Sequence, residues 1–411
     1  MKYLLITAFI FPALLLPALQ QTGELSAPAN DRTLDLTQVD TVRVLLYDNN
    51  PPDKILLKAL ETDVTLTIDG ESITLESHQI AEVNRKGPVL TVTLKGDTIR
   101  GDRIEADPSG GLTQLITDRF GYRKYRGRLQ ITPDNRDGIR LLNHVPLEDY
   151  ISSVVGSEMN FREIEALKAQ AVVSRTYALW SIHQSPWDDF DLKDFEANQV
   201  YIGEIPTSPW YRDAAMITHG EILTWSGELI LSAFSSTCGG TTANNDDVWS
   251  GRPLPYLRSI NDGDVCSISP HHKWEFSLTR DELNRILEKR YGFRVNHTEL
   301  EKDESGRVRM VIFKNSRDRE LSFSGNEFRL MINRYNDLLS IRSTKFNWDE
   351  ENGEIKIHGS GLGHGVGMCQ WGARGFAQNG WNYKDILSFY FSGTKIVDLH
   401  NIESNNIALH R

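Results

Sequence analysis

The first third of the chain alternates apolar and polar residues over short stretches, which is the pattern of β-strands with one buried face. Turn signals such as Asn49-Asn50-Pro51-Pro52 and Asp69-Gly70 separate these stretches. The predicted strands are VRVLLY (42–47), DVTLTI (63–68), SITLES (72–77), VLTVTL (89–94) and RLQITP (128–133). The pattern predicts a small β module over residues 41–138.

The alternation in this module fits two structures. An antiparallel sheet packed on a neighbouring domain explains it best, although a carbohydrate-binding face would alternate in the same way. Tyr122, Tyr125 and Arg126 lie near the end of the module and are candidates for stacking on sugars or for a domain interface.

A change to helical spacing follows at residues 145–180. Apolar residues recur at the i, i+3, i+4, i+7 spacing of one helix face at Leu147, Tyr150, Ile151, Val154 and Val155. Gly156 is expected to end this helix, and Asn160 followed by Glu163 resembles a capping box at the start of a second helix. The segment predicts a helical hairpin.

Glu158 lies in the elbow between these two helices. A carboxyl group held there has a fixed position and limited water, which are conditions that a general acid needs. Lys168 and Arg175 lie seven residues apart on one stripe of the second helix and could steady a polar substrate, but they also favour the charged form of a nearby carboxyl. From this stretch alone, a helical hairpin in a core with Glu158 as a cap or ion-pair partner is favoured over catalysis.

The later chain mixes strands and helices. Helices are predicted at residues 211–219 and 279–291, strands near 221–236, and a helix-and-strand insertion at about 270–346. The fold class is therefore α+β, an N-terminal mainly antiparallel β module followed by a mixed α+β domain. We expect the divisions to be residues 1–20, 21–40, 41–138, 139–400 and a tail at 401–411.

Composition narrows the classes of partner. The chain has 411 residues, 39% of them hydrophobic, and a formal net charge of −11, which disfavours nucleic acid as a partner. Residues 1–20 combine a lysine with a short apolar run, the pattern of a signal peptide, and 21–40 form a polar linker. We expect an exported protein, with at most an N-terminal membrane anchor.

Two glycine-rich blocks carry the other candidate residues. In STCGGTT (236–242), Ser236 and Cys238 invite a nucleophile interpretation, but there is no G-x-S-x-G elbow and no neighbouring base. Gly239 and Gly240 instead predict a sharp turn whose amides could meet a ligand. In GSGLGHGVGMCQWGA (359–373), glycines flank His364, and the block lacks the Lys-Ser/Thr of a phosphate-binding loop.

Three cysteines in an exported chain leave one unpaired if a disulfide forms. Cys238 and Cys266 flank the same irregular stretch and are the expected pair, which would leave Cys369 as a buried thiol.

Three blocks of this sequence resemble the signature of the stage II sporulation protein D and LytB amidase-enhancer family. They are YISSVVGSEM with EALKAQAVVSRTYA (150–178), FSSTCGGT with Val248-Trp249, and the 359–373 block, and the resemblance spans roughly residues 40–400. Some relatives bind zinc in the loop that corresponds to residues 184–198. Here that loop offers only the adjacent His183 and no cysteine, so we expect no metal and no cofactor.

The resemblance implies a lytic transglycosylase that cleaves MurNAc–GlcNAc bonds of peptidoglycan and leaves a 1,6-anhydro-MurNAc end. Glu158 is then the catalytic acid by its place in the E-M motif. The residues implied to bind substrate or stabilise the reacting sugar are Lys168, Arg175, Ser236, Gly239, Gly240, His364 and Gln370. The protein is expected in the periplasm or at the cell wall.

Two other functions remain open. Relatives described as amidase enhancers imply a protein that grips glycan strands and presents them to a cell-wall amidase without cutting. A cysteine or serine hydrolase would instead need a reactive Cys238 or a reactive serine, and a disulfide at Cys238 would exclude the thiol version.

Overall fold

A computed structural model describes residues 38–401, except 186, 188, 196–197, 206–208, 250 and 337–339, together with residues 408–409. The expected signal peptide, nearly all of the linker and most of the C-terminal tail lie outside these residues. The described chain forms two compact units: residues 233–393 are the second unit, and the residues before and after them are the first unit. The α+β fold class is confirmed.

Two sheets make up most of the first unit. Their strands are β1 Thr41–Leu46, β2 Lys54–Ala59, β3 Val64–Ile68, β4 Glu71–Leu75, β5 Ile80–Lys86, β6 Val89–Leu94, β7 Asp97–Gly101, β8 Ile104–Asp107, β9 Thr113–Thr117, β10 Gly121–Tyr125, β11 Arg128–Pro133, β12 Ile139–Pro146 and β13 Leu192–Lys193. One sheet has the order β13-β1-β12-β11-β8-β3-β4, antiparallel except for the β1–β13 pair. The other has the order β10-β9-β2-β5-β6-β7.

The alternation in the sequence determines which strand faces are buried. In β3, Val64, Leu66 and Ile68 are buried, whereas the two threonines between them are exposed or half-buried. Such two-residue periodicity places every second side chain on the core face. Tyr125 is fully buried and its hydroxyl lies 3.1 Å from that of Tyr47, whereas Tyr122 is exposed.

The first unit continues into three helices and a short sheet. These elements are α1 Leu147–Glu158, α2 Ile164–Gln184, α3 Pro209–Ile217, β14 Glu221–Trp225 and β15 Glu228–Leu229. The long helix α2 is buried over most of its circumference, since helices and β14 pack around it. Within the described residues, no helix is long and apolar enough to cross a membrane.

The division between the units differs from the expected one near residue 139. Strand β12 pairs with β1 from Thr41↔Pro146 to Leu46↔Leu141, and it also pairs with β11. A boundary at 139 would cut this sheet. The chain instead leaves the first unit after residue 232.

The second unit contains a parallel strand pair, two antiparallel sheets and five helices among its described residues. In chain order they are β16 Phe234–Ser235, α4 Asn245–Val248, β17 Trp274–Thr279, α5 Arg280–Tyr291, β18 His297–Lys302, β19 Val308–Lys314, β20 Glu320–Ser324, α6 Gly325–Tyr335, β21 Phe346–Glu351, β22 Glu354–Gly359, β23 Met368–Cys369, α7 Gln370–Gln378 and α8 Tyr383–Tyr390. The chain then returns to the first unit with β24 Lys395–Asp398, which pairs with β14, and β25 Ala408–Leu409, which pairs with β15.

The segment from β17 to β22 has a hydrophobic core of its own. Its sheets have the orders β17-β22-β21 and β18-β19-β20, and residues such as Leu287, Phe313, Phe328 and Ile357 are fully buried between them and the helices. Both helices start with a capping box, Thr279 with Glu282 for α5 and Ser324 with Glu327 for α6. This segment contains both helices and strands, as the predicted insertion does, and it covers most of the same residues.

Candidate functional site

Glu158 is the last residue of α1, and five residues separate it from the start of α2. The prediction that Gly156 ends the helix was wrong, because α1 continues through it where α3 packs against the helix. A Cβ at Gly156 would lie 2.6 Å from Tyr211 Cδ2 and 2.7 Å from Ile205 Cδ1. The glycine serves close packing and does not terminate the helix.

The expected capping box at the second helix is also absent from the hairpin. The N-cap of α2 is Glu163, with no capping bond from its side chain. Asn160 instead accepts a hydrogen bond of 3.1 Å from the Tyr211 hydroxyl through Oδ1. Asn160 therefore ties the elbow to α3.

One carboxylate oxygen of Glu158 is held by the backbone. Its Oε1 accepts a hydrogen bond of 3.1 Å from the Val200 amide, in the loop that follows β13. Glu158 itself is half-buried, and its neighbours Met159 and Phe161 are buried. Glu158 is thus partly shielded from water, and the elbow around it contains buried apolar residues.

Two buried tyrosines lie close to this carboxyl. Burial raises the pKa of Tyr177 to about 12, and the charge of Glu158 adds to the shift. Burial also raises the pKa of Tyr150 well above its usual value, again with a contribution from Glu158. The Tyr150 hydroxyl donates to Gln199 Oε1 at 3.2 Å, so the same loop is fixed on both sides of Val200.

Arg175 lies in the interior of the first unit. Its guanidinium is fully buried and makes a two-pronged contact with the Glu148 carboxylate, at 2.8 Å to Oε1 and 2.5 Å to Oε2. It also donates to the carbonyls of Ala215 and Glu221, both at 3.0 Å. These bonds join α2 to α1, α3 and β14, so Arg175 stabilises the fold of the first unit. Its predicted contact with substrate stays a prediction.

Lys168 lies one turn into α2 and is largely buried. Its Nζ is 2.5 Å from Glu165 Oε1, an i, i+3 pair on the same helix. Both residues lie in α2, so their seven-residue spacing does place them on one stripe of the helix. The two cations nevertheless pair with different carboxylates.

An open groove of about 450 Å³ lies beside the elbow in the first unit, and the sequence analysis did not identify it. The Arg162 guanidinium lies over the Trp210 ring, 5.4 Å from its centroid. Ile217 is 61% exposed and Trp210 37% exposed. The residues that line the groove are Arg162, Ile164, Trp210, Asp213, Met216 and Ile217. The available signal for this groove in the sequence was Trp210, an exposed tryptophan in the amphipathic helix α3.

In the second unit, the STCGG block forms the predicted turn. Gly239 and Gly240 have φ of 73° and 92°, in the region that favours glycine. The Gly240 amide donates to Cys266 Sγ at 3.3 Å, and Gly239 O accepts from Lys345 Nζ at 2.8 Å. The Gly240 amide is therefore engaged within the protein, although we had expected it to meet a ligand.

Ser236 and Gln370 lie at the joint between the two glycine-rich blocks. Strands β16 and β23 pair in parallel, with Ser235 opposite Cys369. The Ser236 carbonyl accepts from the Trp371 amide at 3.0 Å. Gln370 begins α7 and is 5% exposed. The structure thus brings together two blocks that are more than a hundred residues apart in sequence.

His364 is half-buried and uncharged at neutral pH. Burial lowers its pKa to about 4, against a smaller opposite effect of its hydrogen bond with the Phe234 backbone. Its Nδ1 accepts from the Val366 amide at 3.1 Å, and its ring centroid lies 5.0 Å from that of Trp249. A neutral imidazole held in this way cannot supply a positive charge to a ligand.

The three cysteines are buried and unbonded to one another in the structure. Cys238 Sγ lies 3.7 Å from Cys266 Sγ and donates to Asp262 Oδ2 at 3.0 Å. The contact between Cys238 and Cys266 lowers the pKa of Cys266 and raises the pKa of Cys238 well above its usual value. Cys238 is therefore poorly suited to act as a nucleophile. The predicted Cys238–Cys266 disulfide stays a prediction.

Comparison with known proteins gives a consistent group of relatives. The family model described as Stage II sporulation protein, SpoIID, matches residues 135–225, which include Glu158, Lys168 and Arg175. An uncharacterized protein of Brachyspira hyodysenteriae is 33% identical over 68% of this chain and 74% of its own length.

Two relatives with descriptive names come from Bacillus subtilis. Stage II sporulation protein D is 29% identical, over 64% of this chain and 78% of that protein. Amidase enhancer is 28% identical, over 60% of this chain and 40% of that protein.

Proposed function

This chain belongs to the SpoIID-like family, and on that premise we propose that it is an exported lytic transglycosylase of cell-wall peptidoglycan. It cleaves the MurNAc–GlcNAc bond in glycan strands and leaves a 1,6-anhydro-MurNAc end. Two of its relatives are named Stage II sporulation protein D and Amidase enhancer, and these names support a role at the cell wall.

The position of Glu158 carries the proposal. The carboxyl lies at the C-terminal end of α1, where the partial negative charge of the helix end disfavours a further negative charge. Its Oε1 is fixed by the Val200 amide, and Glu158 is half-buried, which limits the access of water. A fixed, partly desolvated carboxyl at a motif position is what general acid catalysis needs.

One carboxyl is enough for the reaction. Glu158 donates its proton to the bridging oxygen as the bond from C1 of MurNAc to that oxygen breaks, and GlcNAc leaves with a free hydroxyl. The 6-hydroxyl of the same MurNAc then forms the bond to C1, and its proton passes to Glu158. The acid is regenerated and no water is consumed, so a second carboxylate that activates water is not required.

The other motif residues enter as substrate contacts. Neutral His364 offers an uncharged ring surface, and Ser236 and Gly239 offer a hydroxyl and backbone groups to sugar hydroxyl or amide groups. In the first unit, Lys168 lies on α2, which follows the elbow, and the groove at Trp210 lies beside the elbow residue Arg162. An aromatic ring with one exposed face suits the apolar face of a sugar. Arg175 and Gln370, both buried, would act by holding these elements in place.

The test is the release of glycan fragments from purified peptidoglycan, both intact and stripped of stem peptides by an amidase. The protein should release products that end in 1,6-anhydro-MurNAc, detected by mass spectrometry. Glu158→Gln should lower the rate by about 10² to 10⁴-fold, because it removes both the acid and the base. Glu71→Gln, at an exposed strand residue, is the matched control and should leave the rate unchanged.

The similarity to Amidase enhancer favours a second function, a peptidoglycan-binding protein that assists a cell-wall amidase without cutting glycan. The same experiment separates the two. Protein that sediments with sacculi but releases no fragment from either substrate would contradict the transglycosylase. In that case, stimulation of an amidase by wild type and by Glu158→Gln alike would support the enhancer.

A further inference from the structure

Three cysteines and one aspartate converge in the interior of the second unit. Cys238, Cys266 and Cys369 are fully buried, and Asp262 is 3% exposed. One ligand atom from each lies within 4.8 Å of all the others. Cys238 follows β16, Cys369 ends β23, and Cys266 lies in a short 3-10 helix, Val265–Ile268, four residues after Asp262. This convergence does not depend on the proposed catalytic function.

The spacing of the sulfur atoms fits a shared metal ion. The Cys238 and Cys266 Sγ atoms are 3.7 Å apart. Two thiolates bound to tetrahedral Zn²⁺ at about 2.3 Å lie about 3.8 Å from each other, whereas disulfide sulfurs lie about 2.05 Å apart. The thiols therefore already have the separation that zinc requires.

Backbone amides point at the sulfur atoms. Cys369 Sγ accepts hydrogen bonds from the amides of Cys238 at 3.2 Å and Gly372 at 3.3 Å, and Cys266 Sγ accepts one from Gly240 at 3.3 Å. Such donors stabilise negatively charged sulfur, the form that binds metal. A Cβ at Gly372 would lie 2.0 Å from the Tyr390 hydroxyl, so the close approach of this amide depends on glycine.

A divalent cation would balance the charges of the side chains around the cluster. Three thiolates and one carboxylate carry four negative charges, and two cations lie nearby: fully buried Arg307 donates to the Cys238 carbonyl at 2.8 Å, and Lys345 donates to Gly239. A divalent ion supplies the other two positive charges. Among the described residues, Asp262 Oδ1 has no hydrogen-bond partner, which leaves this buried oxygen open for ligation.

We propose that Cys238, Asp262, Cys266 and Cys369 bind one divalent transition-metal ion of the Zn²⁺ class. Soft thiolates with one carboxylate select zinc over calcium or magnesium. Four protein ligands close the coordination sphere, so the ion is structural: it fixes the CGG turn, the 3-10 helix and the start of α7 to one point. The proposal replaces the expectation that the protein has no metal, and it excludes a Cys238–Cys266 disulfide.

The first test is the metal content of the full chain, purified without chelators or reductants. We expect about one zinc ion per chain and three unoxidised thiols by mass spectrometry. A chain that contains no metal and has lost two hydrogens, with peptides around Cys238 and Cys266 cross-linked, would overturn the proposal and support the disulfide.

The second test follows ligation directly in wild-type protein. Chelator-stripped, reduced protein is titrated with Co²⁺, which should give thiolate-to-cobalt charge-transfer absorption that saturates at about one equivalent and disappears when Zn²⁺ is added. Asp262→Asn should weaken Co²⁺ binding by more than about tenfold, and Asp264→Asn, two residues away and exposed, should not. Cobalt absorption without thiolate bands, or unchanged binding in Asp262→Asn, would refute the site.

Discussion

The imidazole of His364 is neutral because burial makes its protonated form costly. Its pKa is about 4 in the folded protein, compared with about 6.5 in an unfolded chain. Between these two values the unfolded chain binds a proton that the folded protein does not. The contribution of His364 to stability is therefore complete above about pH 6.5 and is lost as the pH falls towards 4.

This difference predicts a pH-dependent stability. The free energy of unfolding of wild type should fall by about 2 to 3 kcal/mol more between pH 7 and pH 4 than that of His364→Asn. Urea unfolding at a series of pH values measures it. His297→Asn, at an exposed histidine, is the control and should keep the wild-type slope. A wild-type slope in His364→Asn would contradict the assigned burial effect.

At the scale of elements, the helical hairpin is held by close packing and by one buried ion pair. Gly156 lets α1 approach Tyr211 of α3, and Arg175 joins α2 to Glu148 of α1. The guanidinium is fully buried and the carboxylate largely so, and removal of one partner from a buried ion pair typically costs about 3 to 5 kcal/mol. These contacts fix α1 against α2 and α3, and so help to position the Glu158 carboxyl at its end.

Gly156→Ala separates packing from helix propensity. Alanine favours a helix by about 1 kcal/mol relative to glycine, but its Cβ would clash with Tyr211 and Ile205. We expect a net loss of about 1 to 3 kcal/mol in the free energy of unfolding, measured by urea denaturation. Ser152→Ala, a half-buried position on the same helix, should be neutral or stabilising. Stabilisation by Gly156→Ala would mean that α1 and α3 are less closely packed.

At the scale of the whole molecule, the chain is acidic, with a formal net charge of −11, and is built from two compact units. Such a protein gains little from long-range attraction to an acidic polymer. The proposed binding to glycan strands would therefore depend on hydrogen bonds and on stacking against exposed rings such as Trp210.

Binding to sacculi should accordingly resist salt. Glu158→Gln, which can bind without cutting, should still sediment with purified sacculi in about 0.5 M NaCl, where charges more than several ångströms apart are screened. A basic protein that binds sacculi through charge serves as the control and should be released. Release of Glu158→Gln by salt would show that cations such as Arg162 and Lys168 dominate the binding.

The sequence alone determined the features that depend on neighbouring residues. Two-residue alternation correctly predicted strands such as β3 and β6, and helical spacing predicted α1 and α5. Local hydrogen bonds and side-chain periodicity decide these elements, so they can be recognised in short windows. The α+β class follows from their order.

Only the tertiary structure decided how distant residues meet. The burial of Arg175 against Glu148 and the packing at Gly156 depend on α3, which lies some fifty residues further along the chain. Cys238 and Cys369 meet across 131 positions because β16 and β23 pair, and Asp262 joins them although no motif had singled it out. Such contacts depend on which elements pack together, a choice made by burial over the whole unit and not encoded in any local pattern.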